Sequence, residues 1–387
     1  MSDDALVVRK VESKADMEAF LRFPWTCYEG HPYWVPPLFS EHKAYFDREK
    51  NPELHHIDID YFVARRGETV VGIIAAFVNH AYNKFHGENL GWFGAFEVLD
   101  DREAGHALLS AAEAWCREQG VDAVRGPATF STNSEIGLLV EGFEYSPMIL
   151  TTYAHPYYQD FVESAGFEKE MDLWAYRMSG RPLGGRKADK LPEKLVRVMG
   201  KLRKRYNFTI RKINLRDFDN ELRKLKKVYN DAWEQNWAFV PLSDAEIDKL
   251  AHDLKQFVDV DISFFVEVDG EPIAFSVPLP NIYEPLRLAY PRPDEPEIFA
   301  LLRLLWHWKV RRRLSGVRVF AMGVVKEYRG MGLDGFMILE MLKNGLPKGY
   351  LENEMSWLLE TNQMVVRSAS LAGGEHYKTY RVYQKPL

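Results

Sequence analysis

One order of elements is written twice along this chain, and that repetition restricts the fold more than any single motif does. In the first half, residues 7–11 read as a strand and 14–28 as a helix. Apolar runs at 60–65 and 70–75 then flank a Gly67-Glu68 turn, as a hairpin requires. A strand at 91–98, a helix at 103–119 stopped by Gly120, a short strand at 121–124, a helix at 156–165 and a strand at 169–178 complete it. The second half offers a strand at 208–215 and helices at 219–234 and 244–257, the latter with Ser243 as its N-cap. A hairpin follows, 262–268 and 272–277 about Asp269-Gly270, then a strand at 317–325, a helix at 333–343, a strand at 355–359, a helix at 362–371 and a strand at 377–383. The repetition predicts a duplicated α/β fold with mixed sheets. Its one large insertion, 281–310, contains an aromatic-rich helix with Phe299, Leu302, Leu305, Trp306 and Trp308. Residues 178–187 lack periodicity and carry Gly180, Gly184, Gly185 and Pro182. The expected division is therefore a domain over 1–180, a linker over 181–192 and a domain over 193–387.

The length of 387 residues agrees with two domains of about 150 or more. With 46% hydrophobic and 27% charged residues, disordered and low-complexity readings are excluded. No apolar run reaches the roughly 18 residues of a membrane span. The acidic start, Met1-Ser2-Asp3-Asp4, does not resemble a signal peptide, so a cytoplasmic protein without a membrane partner is expected. Cys27 and Cys116 are too few for a disulfide framework or a cysteine zinc cluster, and His55-His56 lack ligand spacing, so no metal is expected. The net charge of -6 conceals an asymmetry. Residues 1–180 hold 15 basic and 29 acidic side chains, leaving 35 and 27 for the remainder. A chain acidic overall is not expected to bind nucleic acid, and Arg311-Arg312-Arg313 reads as a solvated helix end. The oligomeric state is left open.

The sharpest local signal is Val324-Val325-Lys326-Glu327-Tyr328-Arg329-Gly330-Met331-Gly332-Leu333, a strand entering an Arg/Gly-rich turn from which a helix opens. Such a turn presents unpaired backbone N–H groups at the positive end of a helix, where phosphate binds. Glycines let the ligand approach, and Arg329 can add charge. The alternative is a plain strand–helix corner that needs glycine for its backbone angles. No Gly-Lys-Ser/Thr follows, so it is not a Walker loop.

This stretch resembles the acyl-CoA loop of the GNAT (GCN5-related N-acetyltransferase) superfamily, Arg/Gln-x-x-Gly-x-Gly/Ala. Arg329 and Gly332 match its first two fixed positions, while Asp334 departs from the third. Residues 355–362 and 377–383 look like the fifth strand, the helix start and the closing strand of that fold. The arrangement as a whole resembles bacterial tandem-GNAT proteins, with Gly126-Pro127-Ala128-Thr129-Phe130-Ser131-Thr132-Asn133 in the first half. The resemblance implies two tandem GNAT-like acyl-CoA N-acyltransferase domains. It implies a ligand site at Val324, Val325, Arg329, Gly330, Met331, Gly332, Leu333 and Asn362 for acetyl-CoA or another acyl-CoA. The matching place in the first half, Leu99-Asp100-Asp101-Arg102-Glu103-Ala104-Gly105-His106, sets carboxylates where phosphate would lie. That half is expected not to bind CoA.

Transfer to an amine needs a proton path and, often, an acid for the departing thiolate. The superfamily's acidic Tyr, about seven positions beyond the Asn of its fourth helix, falls on Ala369 here. Tyr377 and Tyr380 are the nearby alternatives, with strand packing as their other reading. Glu360, ending a strand, is the candidate base, with a solvated strand end or a helix-cap partner as its other reading. Ser131, Thr132, Asn133 and Glu135 form a loop suited either to turn capping or to facing substrate. Trp233 and Asn236 close a helix where the fold usually shapes its acceptor pocket, with a plain core helix end as the preferred other reading. The expected function is acyl transfer from CoA to a primary amine, borne by a small molecule or a peptide, with the acceptor between the halves near Glu360 and the 131–135 loop. The alternative is a non-catalytic acyl-CoA-binding or interaction protein, and a transferase using a tRNA-borne donor ranks behind both.

Overall fold

The structure, a computed structural model, describes residues 5–387 apart from 133, 192, 207, 234 and 235, and their side chains apart from 194, 195, 198, 202, 204 and 205. The chain folds into two compact units that are not the contiguous stretches 1–180 and 193–387. Unit 1 comprises Met1–Asp172, Leu286–Val310 and Lys378–Leu387; unit 2 comprises Leu173–Pro285 and Arg311–Tyr377.

Among the described residues, seven strands arise before the middle of the chain: β1 (Leu6–Lys10), β2 (Ile57–Arg66), β3 (Thr69–Asn79), β4 (Leu90–Val98), β5 (Ala123–Gly126), β6 (Leu138–Glu141) and β7 (Glu168–Ser179). The helices among them are α1 (Lys14–Cys27), α2 (Phe39–Tyr45), α3 (His80–His86), α4 (Arg102–Glu118) and α5 (Tyr157–Ser164). The second half adds β8 (Thr209–Lys212), β9 (Phe264–Val268), β10 (Glu271–Pro280), β11 (Gly316–Val324), β12 (Glu352–Leu359) and β13 (Glu375–Pro386). Its helices are α6 (Glu193–Tyr206), α7 (Phe218–Trp233), α8 (Asp244–Lys255), α9 (Tyr283–Ala289), α10 (Glu297–Leu305), α11 (Leu333–Lys348) and α12 (Gln363–Leu371).

In unit 1 the strands run β1-β2-β3-β4-β5-β13, and β6 also pairs with β13. In unit 2 they run β7-β12-β11-β10-β9-β8. Each unit has one parallel neighbour pair, β4 with β5 and β11 with β12, joined by the crossover helices α4 and α11. A parallel pair cannot be closed by a tight turn, which is why a long helix intervenes at the same place twice. The closing strands are exchanged between the sequence halves. Leu173 to Ser179 of β7 pair with β12 of unit 2, whereas β13 from Thr379 onward pairs with β6 and β5 of unit 1. Periodicity marks such strands as strands but says nothing about which neighbour they join.

The core of unit 2 forms where α11 covers its sheet: Leu333, Met337, Ile338, Met341 and Leu342 meet Phe264, Val266, Ile273, Val317 and Val319. The Gly/Pro-rich stretch expected as a linker is drawn into this packing through Leu183, Ala188 and Leu191. The aromatic-rich insertion belongs to unit 1, where Trp25 Nε1 donates to Pro291 O at 2.8 Å and Ser40 Oγ to Glu297 Oε1 at 2.6 Å.

Candidate functional site

In unit 2, β11 ends at Val324, and a short 3-10 turn, Lys326–Tyr328, precedes α11. Gly330 and Gly332 take φ values of 74° and 81°, which residues with a Cβ adopt only under strain. Gly332 occupies the N-cap position of α11 and has no side chain to cap it. Among the described residues, the backbone N–H groups from Gly330 to Gly335 therefore make no hydrogen bond. The first that does is Phe336, donating to Gly332 O at 3.1 Å. A run of open N–H groups at the positive end of a 16-residue helix fits a phosphate-bearing ligand.

Beside this turn the parallel strands part. β11 pairs with β12 only from Gly316 to Val319, matching Glu352 to Met355, although both strands run on. From Phe320 onward, β11 has β10 on one side and no described strand on the other. That open edge offers backbone donors and acceptors to an extended, amide-bearing ligand.

The candidate residues fall into place unevenly. The Arg329 guanidinium, expected to add charge for phosphate, is spent on backbone carbonyls. Its Nη2 donates to Asp231 O at 2.9 Å and Ala232 O at 2.8 Å, and its Nε to Val324 O at 3.4 Å. It fastens the turn to the end of α7, assisted by Lys326 N–H donating to the Asp231 carboxylate at 2.8 Å. The Val325 N–H, expected near a thioester carbonyl, donates instead to Ile273 O at 2.9 Å. Val324 and Met331 are half-buried, and the Leu333 side chain is core, so only its N–H reaches the turn. Asp334 accepts a short hydrogen bond from the Ser368 hydroxyl of α12, which binds the carboxylate to a neighbouring helix instead of leaving it in solvent. Asn362 is the N-cap of α12, accepting from Val365 N–H at 3.4 Å. Glu360 is half-buried in the turn between β12 and α12, at the same carboxyl end of the sheet as the open N–H groups. Trp233 packs 4.5 Å from the Tyr229 ring, and the Asn236 N–H closes a turn on Trp233 O at 2.9 Å.

Neither tyrosine is placed as a ready acid. Tyr377 directs its hydroxyl proton into a short bond with the Glu354 carboxylate. Tyr380 is 0% exposed within β13 of unit 1, closed off from any ligand. Tyr377 instead joins a buried polar chain that sequence reasoning missed. Glu354 also accepts from Ser356 Oγ at 2.5 Å, and Arg318 Nε donates to Ser356 Oγ at 2.8 Å. Arg318 and Glu354 face one another in register, both sealed from solvent, in the last stretch where β11 and β12 remain paired. Charged side chains inside apolar strand runs were the signal for this cluster.

Unit 1 has the corresponding turn, but it is sealed. Asp101 caps α4 by accepting from Ala104 N–H at 3.1 Å. Where β4 and β5 cease to pair, Ala128 N–H donates to Phe93 O at 2.9 Å. A Cβ at Gly94 would lie 1.7 Å from Ala128 O, so the chain itself fills the space. Ser131 is buried, Thr132 and Glu135 are half-buried, and Asn133 lies outside the described residues. Burial pushes the Glu135 carboxyl up to about 7. The more perturbed group was not anticipated. Glu97, ending β4, accepts from Tyr158 OH at 2.8 Å, and burial, with like charge from Glu135, pushes its carboxyl up to about 8. Cys27 Sγ lies 3.2 Å from the same hydroxyl. A carboxyl that titrates near neutrality can exchange protons with a ligand. Among the described residues, no group of three or more His, Cys, Asp or Glu side chains gathers to hold a metal, and no helix is long and apolar enough to cross a membrane.

Over 392 aligned positions the chain is 34% identical to Protein YghO of Escherichia coli (strain K12), covering 98% of this chain and 95% of that one. Over 387 positions it is 33% identical to the bacterial ceramide synthase of Caulobacter vibrioides (strain NA1000 / CB15N), covering 99% and 98%. Among solved structures, a tandem GNAT protein from the clavulanic acid biosynthesis pathway matches with a TM-score of 0.56 at 12% identity, over 99% of this chain and 98% of that one. That likeness establishes the duplicated GNAT fold. No protein-family model matches the chain.

Proposed function

The chain belongs to the family of YghO and bacterial ceramide synthase and has the duplicated GNAT fold, and from that premise we propose that it is an acyl-CoA-dependent N-acyltransferase. The acceptor we propose is the amine of a long-chain amino alcohol, since a ceramide is the fatty amide of such a base and one relative bears that name. The observation that carries the reading is the run of open N–H groups from Gly330 to Gly335 beside the unpaired edge of β11. The N–H groups would hold the pyrophosphate, and the strand edge the amide-bearing arm. Acyl-CoA supplies an acyl carbon already activated as a thioester. The protein's part is to hold that carbon, exclude water and take a proton from the acceptor's ammonium, so that the freed amine forms the C–N bond as the C–S bond breaks and CoA leaves as a thiolate, which is protonated from water. Glu360 serves as the base, directly or through one water, from the carboxyl end of the sheet.

Calorimetry with CoA should find one site per chain, weakened on the order of tenfold or more by Gly332→Glu, which places a carboxylate among the N–H donors. Incubation with a long-chain acyl-CoA and a long-chain amino alcohol should yield the amide by mass spectrometry. Glu360→Gln should slow turnover by about a hundredfold while leaving CoA affinity unchanged. CoA binding with no amide formed from any amine would instead support a binding protein on this scaffold. Two equivalent CoA sites would defeat the assignment to unit 2.

A further inference from the structure

The insertion in unit 1 carries a helix whose faces are used in an unusual way. One face of α10 is fixed to the protein: Ala300 is buried, Glu297 binds Ser40, and Arg303 Nε donates to Ala289 O at 2.7 Å. The other face is apolar and lies in solvent. Ile298 is 56% exposed, Phe299 53%, Leu302 56%, Leu305 48% and Trp306 55%, at the spacing of a single helical stripe. Val310, closing the π-helical turn Trp306–Val310, is 59% exposed. Half of the large exposed apolar side chains among the described residues thus gather in one short segment, whereas such residues normally scatter.

The charges around the stripe select its partner. Between Leu286 and Arg313 the sequence has seven basic side chains and three acidic ones. The acids are occupied: Asp294 pairs with Arg22, Glu295 with Arg303, and Glu297 with Ser40. The exposed Lys309 follows the Trp, and the chain then continues into Arg311-Arg312-Arg313, all exposed. An apolar stripe with Trp at its end and cations beyond it matches the interface of an anionic bilayer, where the ring sits at headgroup level and the cations meet phosphate. We propose that the α10 face docks this protein onto anionic membrane surfaces, lying in the interface without crossing it. A run-length criterion for membrane spans cannot register such a face, because its apolar residues are interleaved with those that anchor the helix.

The test needs no substrate, so its outcome is separate from that of the acyl-transfer reading. The full chain should co-sediment with vesicles of equal parts phosphatidylglycerol and phosphatidylcholine, and far less with phosphatidylcholine alone. Leu302→Asp with Trp306→Asp should weaken binding on the order of tenfold, with Leu371→Asp, an exposed apolar site elsewhere, as the unaffected control. Arg311→Glu with Arg312→Glu leaves the apolar stripe intact and should weaken binding with its salt dependence reduced. Failure to bind anionic vesicles would overturn the proposal. So would binding indifferent to both pairs of substitutions, or a dimer in solution that Leu302→Asp dissociates, since that would make the stripe a subunit contact.

Discussion

Arg66 grips Asp101 through two nitrogens, Nε at 2.7 Å from Oδ2 and Nη2 at 3.1 Å from Oδ1, and Asp101 in turn caps the helix that follows β4. The same place in unit 2 has Gly332, whose missing side chain leaves the helix start open. One fold thus has a closed and an open version of the same turn, distinguished by which residue stands at the N-cap.

The first prediction follows from that closure. Asp101→Ala removes a cap and should lower stability by about 1 kcal/mol, read as a lower denaturant midpoint at unchanged slope. It should not create a second CoA site, because Ala128 still fills the space beside β4. Calorimetry finding two sites in Asp101→Ala would mean that the cap alone excluded the ligand.

The second prediction concerns Asp334, the departure from the superfamily's loop pattern. Because its carboxylate accepts from Ser368, it is directed to α12 and need not oppose a pyrophosphate. Asp334→Gly should leave the CoA Kd within about twofold, while losing on the order of 1 kcal/mol of stability with the bond and the helix-start charge. Ser368→Ala should lose a similar amount. A tenfold gain in CoA affinity for Asp334→Gly would show that the carboxylate does face the ligand.

The third prediction is a pH dependence. Glu97 holds its proton in the folded chain up to about pH 8, whereas in the unfolded chain it releases it near 4.5. Between those values the folded state binds more protons. The stability that this carboxyl confers is therefore whole below the unfolded value, and is lost as pH rises through the folded one, by up to about 1.4 kcal/mol per pH unit. Glu97→Gln keeps an acceptor for Tyr158 and removes the ionisation. Its stability relative to the parent should improve steadily from about pH 5 to about pH 8 and level off above that. A difference that stays constant across that range would remove Glu97 from the account.

Much of the fold was legible because its elements are periodic and punctuated. The N-cap at Ser243, the Asp269-Gly270 turn and the strand–turn–helix at 324–333 all form where local chemistry placed them. What escaped was non-local. Nothing in the alternation of 377–383 says that Tyr380 will be buried within unit 1, or that Tyr377 will meet Glu354. Glu97 looks like one more strand-end carboxylate until Tyr158 and Glu135, distant in sequence, close around it. The exposure of Leu302 and Trp306 is equally invisible, since helical spacing identifies a stripe without saying whether protein covers it.

The last prediction separates two roles for Arg329. Its nitrogens donate to the carbonyls of Val324, Asp231 and Ala232, so the residue shapes the turn and does not meet the ligand's charge. The superfamily pattern admits Arg or Gln at this position, and Gln shares donor N–H groups with Arg but no charge. If carbonyl binding is the role, Arg329→Gln should keep CoA affinity within about threefold. Arg329→Lys should lose on the order of tenfold, because an ammonium keeps the charge but cannot reproduce the planar fork. If phosphate attraction is the role, the order reverses, since Lys binds phosphate as a point charge and Gln does not. Calorimetry on the two variants at low and moderate salt decides between them. The carbonyl-binding role requires the Lys variant to be the weaker binder at both concentrations, and a Gln variant that binds worse than the Lys variant would sink it.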